Sequence, residues 1–159
     1  MEFMTFRERK AISQHELEAL FHKFGLKITN QRIEVYREVA ERSAHPSAED
    51  VYERVHERLP AISLNTVYRS LTTLTKKGLL RHVDHVVPKR LYDDNMELHH
   101  HFLCTHCGEI QDVYIDNVQD LHLEGLPEDV EVTVRIAGVC CVCSAKDTGF
   151  KGQRNQNTL

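Results

Sequence analysis

The 159-residue chain has no apolar run approaching the ~20 residues that a helix needs to cross a bilayer, which excludes a helical membrane span. Its first ten residues mix Glu2 and Glu8 with Arg7 and Arg9 and lack the apolar stretch of a secretory signal. A cytoplasmic location is therefore the default expectation. Five cysteines without an export signal speak against a disulfide framework. Acidic residues are missing from Ser63 to Lys77, a stretch that could lie against phosphate without repulsion.

What is present is the composition of an ordinary globular protein, 41% hydrophobic and 28% charged. The length allows one domain, or two small ones that share a metal or an interface. The net charge of -4 conceals an asymmetry. Residues 1–92 carry 16 Lys+Arg against 12 Asp+Glu, a net of +4, whereas residues 93–159 carry 4 against 12, a net of -8. A basic first half suits phosphate contact, and an acidic second half rich in His and Cys suits a cation.

The first half reads as four helices and a hairpin. Leu17, Leu20, Phe21 and Phe24 follow the helical period, and Gly25 ends that helix. Thr29 caps a second helix with Ile33, Tyr36 and Ala40 on its apolar side. Pro46-Ser47 opens a third, with Asp50 three residues after Ser47 as a short capping box and Ala48, Val51, Tyr52, Val55 and Leu59 as the buried stripe. Ser63 caps a fourth, buried through Val67, Leu71 and Leu74 and stopped by Gly78. Its outward face is Asn65, Thr66, Tyr68, Arg69, Thr72 and Thr73, side chains able to hydrogen-bond base edges and phosphates. A solvated surface helix can show the same face. The short connection from the third helix, and a hairpin from Leu79 to Tyr92 with its turn near Asp84–Pro88, favour a DNA reader followed by a wing. Arg81, Lys89 and Arg90 would place positive charge on that wing.

The second half is organised around cysteine and histidine. Cys104-x-x-Cys107 and Cys140-x-x-Cys143 can supply four thiolates to one tetrahedral zinc, a closed shell with a folding role. Cys141 is left over and reads as a packed small side chain. The other cluster is His99-His100-His101. On a strand, His99 and His101 would share one face, with His100, Phe102 and Cys104 on the other, so two separate metal sites are implied. Asp93 and Asp112 are within reach as further ligands, a nitrogen and oxygen set that suits iron, manganese or zinc. An exposed polar strand is the plainer alternative. Asn117–Leu123 reads as a short helix, Val130–Val139 as a strand, and the tail after Lys146 as polar.

These residues resemble the ferric uptake regulator family. The matching runs are Leu26-Lys27-Ile28-Thr29-Asn30-Gln31-Arg32, Ala44-His45-Pro46-Ser47-Ala48 and Ile62-Ser63-Leu64-Asn65-Thr66-Val67-Tyr68-Arg69. They continue with Gly78-Leu79-Leu80, His99-x-His101-x-x-Cys104-x-x-Cys107-Gly108 and Gly138-Val139-Cys140-x-x-Cys143. The resemblance implies an α+β homodimer: a winged helix-turn-helix DNA-binding domain over residues 1–92 and a small α/β dimerisation domain over residues 93–159 with a structural zinc site of four cysteines. It implies a palindromic double-stranded operator, contacted by Asn65, Thr66, Tyr68, Arg69 and Arg32. It also implies a regulatory Fe2+ or Mn2+ held by His45, Asp93, His99, His101 and Asp112, with His45 contributed by the DNA-binding half.

Aspartates at 93 and 112 resemble the peroxide-sensing branch of that family, in which iron-catalysed oxidation of a ligand histidine, here His45 or His99, releases DNA. Glu97 could replace Asp93 in an iron-sensing arrangement, and Arg69 resembles the iron-responsive members. The expectation is a peroxide-sensing repressor, with an iron- or zinc-responsive repressor as the alternative. A metal-dependent hydrolase could also use two His and two Asp, but no general base or nucleophile accompanies them, and an enzyme is not expected.

Overall fold

A computed structural model of the protein describes residues 11–41, 45–83, 89–114 and 134–146. It divides into two compact units, Met1–His99 and His100–Leu159, which places residues 93–99 with the first. Among the described residues no helix is long and apolar enough to cross a membrane.

In the first unit, helices α1 (Gln14–Lys23), α2 (Asn30–Ala40), α3 (Ala48–Arg58) and α4 (Leu64–Lys76) precede strands β1 (Arg81–Val83) and β2 (Leu91–Asp93). Each helix starts where a side-chain oxygen can satisfy an orphan backbone N–H. Ser13 accepts from Glu16 N, Thr29 from Arg32 N, Ser47 from Asp50 N and Ser63 from Thr66 N. Ser13 and Ser47 complete full capping boxes with Glu16 and Asp50. Helix α1 stops before Gly25 and α4 before Gly78, at φ +62° and +74°, a left-handed conformation that glycine adopts without penalty.

Helix α2 packs on both α3 and α4. Their common core joins Phe21 of α1 to Ile33, Val39, Val51, Val55, Val67, Leu71 and Leu74, all within a few percent of full burial. Burial of each such side chain stabilises the unit by about 1.5–3 kcal/mol. The third-helix stripe is less uniform than expected, because Tyr52 and Leu59 are only partly buried. Strands β1 and β2 pair antiparallel, Arg81 opposite Asp93 and Val83 opposite Leu91. The expected turn at 84–88 lies outside the described residues.

The second unit contains a three-stranded sheet in the order β4-β3-β5, with β3 (His100–Cys104) central, β4 (Ile110–Val113) antiparallel to it and β5 (Ile136–Gly138) parallel. Helix α5 (Cys141–Lys146) follows. The strand expected over Val130–Val139 is shorter in its described part, since Val134 and Arg135 precede β5 without joining the sheet. The expected helix Asn117–Leu123 and the polar tail lie outside the described residues.

Candidate metal centres

The four paired cysteines converge in the second unit. Cys104 ends β3, Cys107 follows in the turn, and Cys140 and Cys143 bracket the start of α5. Their sulfurs all lie within 4.8 Å of one another. Cys104 Sγ is 4.0 Å from Cys143 Sγ, and Cys107 Sγ is 3.9 Å from Cys140 Sγ. A tetrahedron of thiolates at zinc–sulfur distance has edges of about 3.8 Å, so the set fits zinc. Gly108, at φ +75°, lets the turn close with its N–H on the Cys104 carbonyl at 2.9 Å.

Backbone amides also point at the sulfurs: Cys140 N–H donates to Cys104 Sγ at 3.3 Å, Cys107 N–H to the same atom at 3.5 Å, and Cys143 N–H to Cys140 Sγ at 3.4 Å. The amides of Cys107 and Cys140 lower the Cys104 thiol to about 6. The neighbouring Cys140 sulfur and burial push the Cys143 thiol up to about 12. The Cys104 thiolate is favoured beforehand, whereas Cys107 and Cys143 are held as thiols by their neighbours, and a bound cation would take the place of their protons. Cys141 departs from expectation. It is exposed, because at the first turn of α5 it points away from the side on which Cys140 and Cys143 are buried.

In the first unit, His45, Asp93 and His99 come together. The segment before α3 runs antiparallel to β2: Ser47 bridges Leu91, and Tyr92 N–H donates to the Pro46 carbonyl at 3.0 Å. Continuing that register sets His45 opposite Asp93. The His45 Nε2 is 3.8 Å from Asp93 Oδ1, and the His99 Nε2 is 3.1 Å from Asp93 Oδ2. All three residues are buried, Asp93 to 1% exposure. The His99 Nδ1 lies 2.8 Å from the Glu97 carbonyl. A carbonyl only accepts, so Nδ1 carries a proton and Nε2 faces the Asp93 carboxylate. Two acceptors this close need a proton or a cation between them, and two imidazoles with a carboxylate fit a divalent transition metal. Glu97, the alternative to Asp93 in the sequence, has an exposed side chain and contributes its backbone instead.

The remaining two expected ligands lie in the second unit, where β3–β4 pairing sets His101 directly opposite Asp112, with Nε2 3.9 Å from Oδ1. Strand alternation puts His101 and Cys104 on opposite faces of β3. His99 precedes that strand, so the expected alternation does not extend to it.

On α4, Asn65, Tyr68 and Arg69 are exposed, Tyr68 to 41%. Thr66 is half-buried with its hydroxyl 2.9 Å from Ser63 Oγ, and Arg32 is half-buried and donates to the Lys27 carbonyl. The Tyr68 hydroxyl donates to the Glu49 carboxylate, which that bond holds below the usual carboxylate range. Lys89, beside the hairpin, lies 3.4 Å from Asp50. Neither Glu49 nor Asn95, which bonds on both sides within the 93–99 segment, was singled out from the sequence. The alternation Asp93-x-Asn95-x-Glu97-x-His99 was the available signal for the second.

The model of the Ferric uptake regulator family matches residues 23–134. The peroxide operon regulator of Bacillus subtilis (strain 168) is 31% identical over 144 residues, 86% of this chain and 99% of that protein. The solved Campylobacter jejuni peroxide stress regulator is 29% identical with a TM-score of 0.54, covering 80% of this chain and 95% of its own. The Helicobacter pylori ferric uptake regulator, described as having three functional metal binding sites, gives a TM-score of 0.65 at 24% identity, covering 82% and 90%. With most of its length matched, this chain belongs to the ferric uptake regulator family, whose members are metal-responsive transcriptional regulators.

Proposed function

We propose that the protein is a homodimeric repressor that binds a palindromic operator when a regulatory Fe2+ or Mn2+ is held by His45, Asp93, His99, His101 and Asp112, and that it senses hydrogen peroxide through that ion. The observation that carries the reading is the convergence of two buried imidazoles on the buried Asp93 carboxylate. The match to a peroxide operon regulator supports it.

The ligands come from both units, and the chain joins His99 to His101 through a single residue. A cation bound by both sets stabilises only the arrangement in which they meet, which shifts the population toward one shape. Zinc on Cys104, Cys107, Cys140 and Cys143 maintains the second unit. Ferrous iron held by the regulatory set would be oxidised by peroxide beside the imidazoles, and one peroxide oxygen added to His45 or His99 would remove a ligand, and with it the preference for the DNA-binding shape. Asn65, Thr66, Tyr68 and Arg69, with Arg32, would contact DNA, and neutralised phosphates would make that binding weaken steeply as salt rises.

The test is to load the protein with Fe2+, add peroxide and weigh the tryptic peptides while following operator binding. One added oxygen on the peptide bearing His45 or His99, with DNA released, is the expected result. Unmodified peptides with DNA still bound would instead leave an iron- or zinc-responsive repressor, the reading that Arg69 favours.

A further inference from the structure

Asn95 has no exposed surface, in a segment outside helix and strand, and no metal role was expected of it. It sits inside a ladder in which every second residue is linked to the next. Asp93 Oδ1 accepts from Asn95 N–H at 2.9 Å, Asn95 Oδ1 accepts from Glu97 N–H at 3.2 Å, and the Glu97 carbonyl accepts from His99 Nδ1–H at 2.8 Å. Each bond is a local side-chain to backbone contact of the kind Asn and Asp make readily in turns.

The ladder has a direction. It begins on the carboxylate and ends on an imidazole of the same proposed ligand set. The backbone of Glu97 is gripped at both of its polar groups, its N–H by the Asn95 side chain and its carbonyl by the His99 ring, so the two torsions between them are held. The Asn95 side chain, with no exposed surface, cannot exchange such a bond for water at little cost. Freeing the Glu97 N–H would let that residue turn, and the carbonyl that fixes the His99 ring would turn with it.

We infer that Asn95 is a positioning residue of the regulatory centre: its side-chain oxygen holds the Glu97 backbone, whose carbonyl takes the His99 Nδ1–H and so keeps Nε2 aimed at Asp93. The inference rests on the metal site proposed above. Ligand imidazoles are commonly oriented by a partner on their second nitrogen, and loss of that partner typically costs 10–100-fold in metal affinity. Here the partner is a backbone carbonyl, and Asn95 holds it in place.

Its test uses full-length, zinc-loaded protein with the regulatory site empty and the histidines labelled with nitrogen-15. In wild type, the His99 Nδ1 proton should appear hydrogen-bonded, shifted downfield and slow to exchange. Asn95→Ala should lose that signal and weaken Mn2+ binding about 10-fold or more. Asn95→Ser, whose hydroxyl can accept the same N–H, should restore most of both. An Ala variant with an unchanged His99 Nδ1–H signal and Mn2+ affinity within about twofold of wild type overturns the inference. A folded Ser variant as impaired as Ala also overturns it. If Asn95→Ala does not fold, Asn95→Gln replaces it, because its acceptor is displaced by one methylene. Equal His99 Nδ1–H signals in the Ser and Gln variants then overturn the inference. Failure of the metal reading looks different: His99→Ala would bind Mn2+ as tightly as wild type, while the metal-free Nδ1–H comparison would still decide what Asn95 does.

Discussion

The interior of the first unit is hydrocarbon drawn from four helices and a hairpin, whereas the described interior of the second is Cys104, Cys140 and Cys143 with Phe102 packed against them. In the first, the imidazole–carboxylate cluster is set into a fold that already buries a large apolar core. Among the described residues of the second, the cysteine ligands form the buried cluster, with Ile110 as a further buried apolar side chain. A cation can thus be a regulator in one unit and a structural necessity in the other, with no difference of principle between the two kinds of coordination.

The largest expected effect breaks the second unit alone. Cys140→Ser, or complete removal of zinc, should unfold it, since structural zinc of this kind contributes on the order of 10 kcal/mol, while the helices of the first unit remain. Hydrogen exchange checks this; wild-type protection of β3 and β5 in Cys140→Ser would show that the thiols are not the core. Because zinc takes thiolates, its release to a fixed chelator should quicken as pH falls from about 8 to about 6.

Next in size, Leu71→Ala should destabilise the first unit by about 2–5 kcal/mol and leave zinc content unchanged. Thermal unfolding followed at the helical signal measures it. Tyr68→Ala or Arg69→Ala should weaken operator binding by about 1–3 kcal/mol with both units folded and zinc retained. Unchanged affinity in both variants would rule out α4 as the reader. The smallest effect is at Ser47→Ala, about 1 kcal/mol for the lost α3 cap, again confined to the first unit and visible as a lowered denaturation midpoint.

The first unit was legible because its signals are local. Thr29, Ser47 and Ser63 announce helix starts within three residues, Gly25 and Gly78 announce ends, and Val67, Leu71 and Leu74 mark a face by period alone. The cysteine knuckles were equally plain, since their spacing is the chemistry. What sequence did not yield depends on which element a residue joins. Cys141 reads as packed until α5 is seen to start beside it. The choice between Asp93 and Glu97 needs the turn ladder, which shows one carboxylate inward and the other in solvent. The meeting of His45 with Asp93 needs a strand register set by Tyr92 and Pro46, across chain that no local pattern links.

That last pairing has a bearing on how the molecule is made. Ser47 and Leu91 close a loop containing α3, α4 and the hairpin. Closing so long a loop costs little more than a shorter one, but it comes late, after the intervening elements have found their places. If His45, Asp93 and His99 hold the cation proposed above, an unfinished first unit would present scattered histidines and a lone aspartate, poor competitors for scarce metal. Loading with the cation would then report whether the elements between Ser47 and Leu91 have been built correctly.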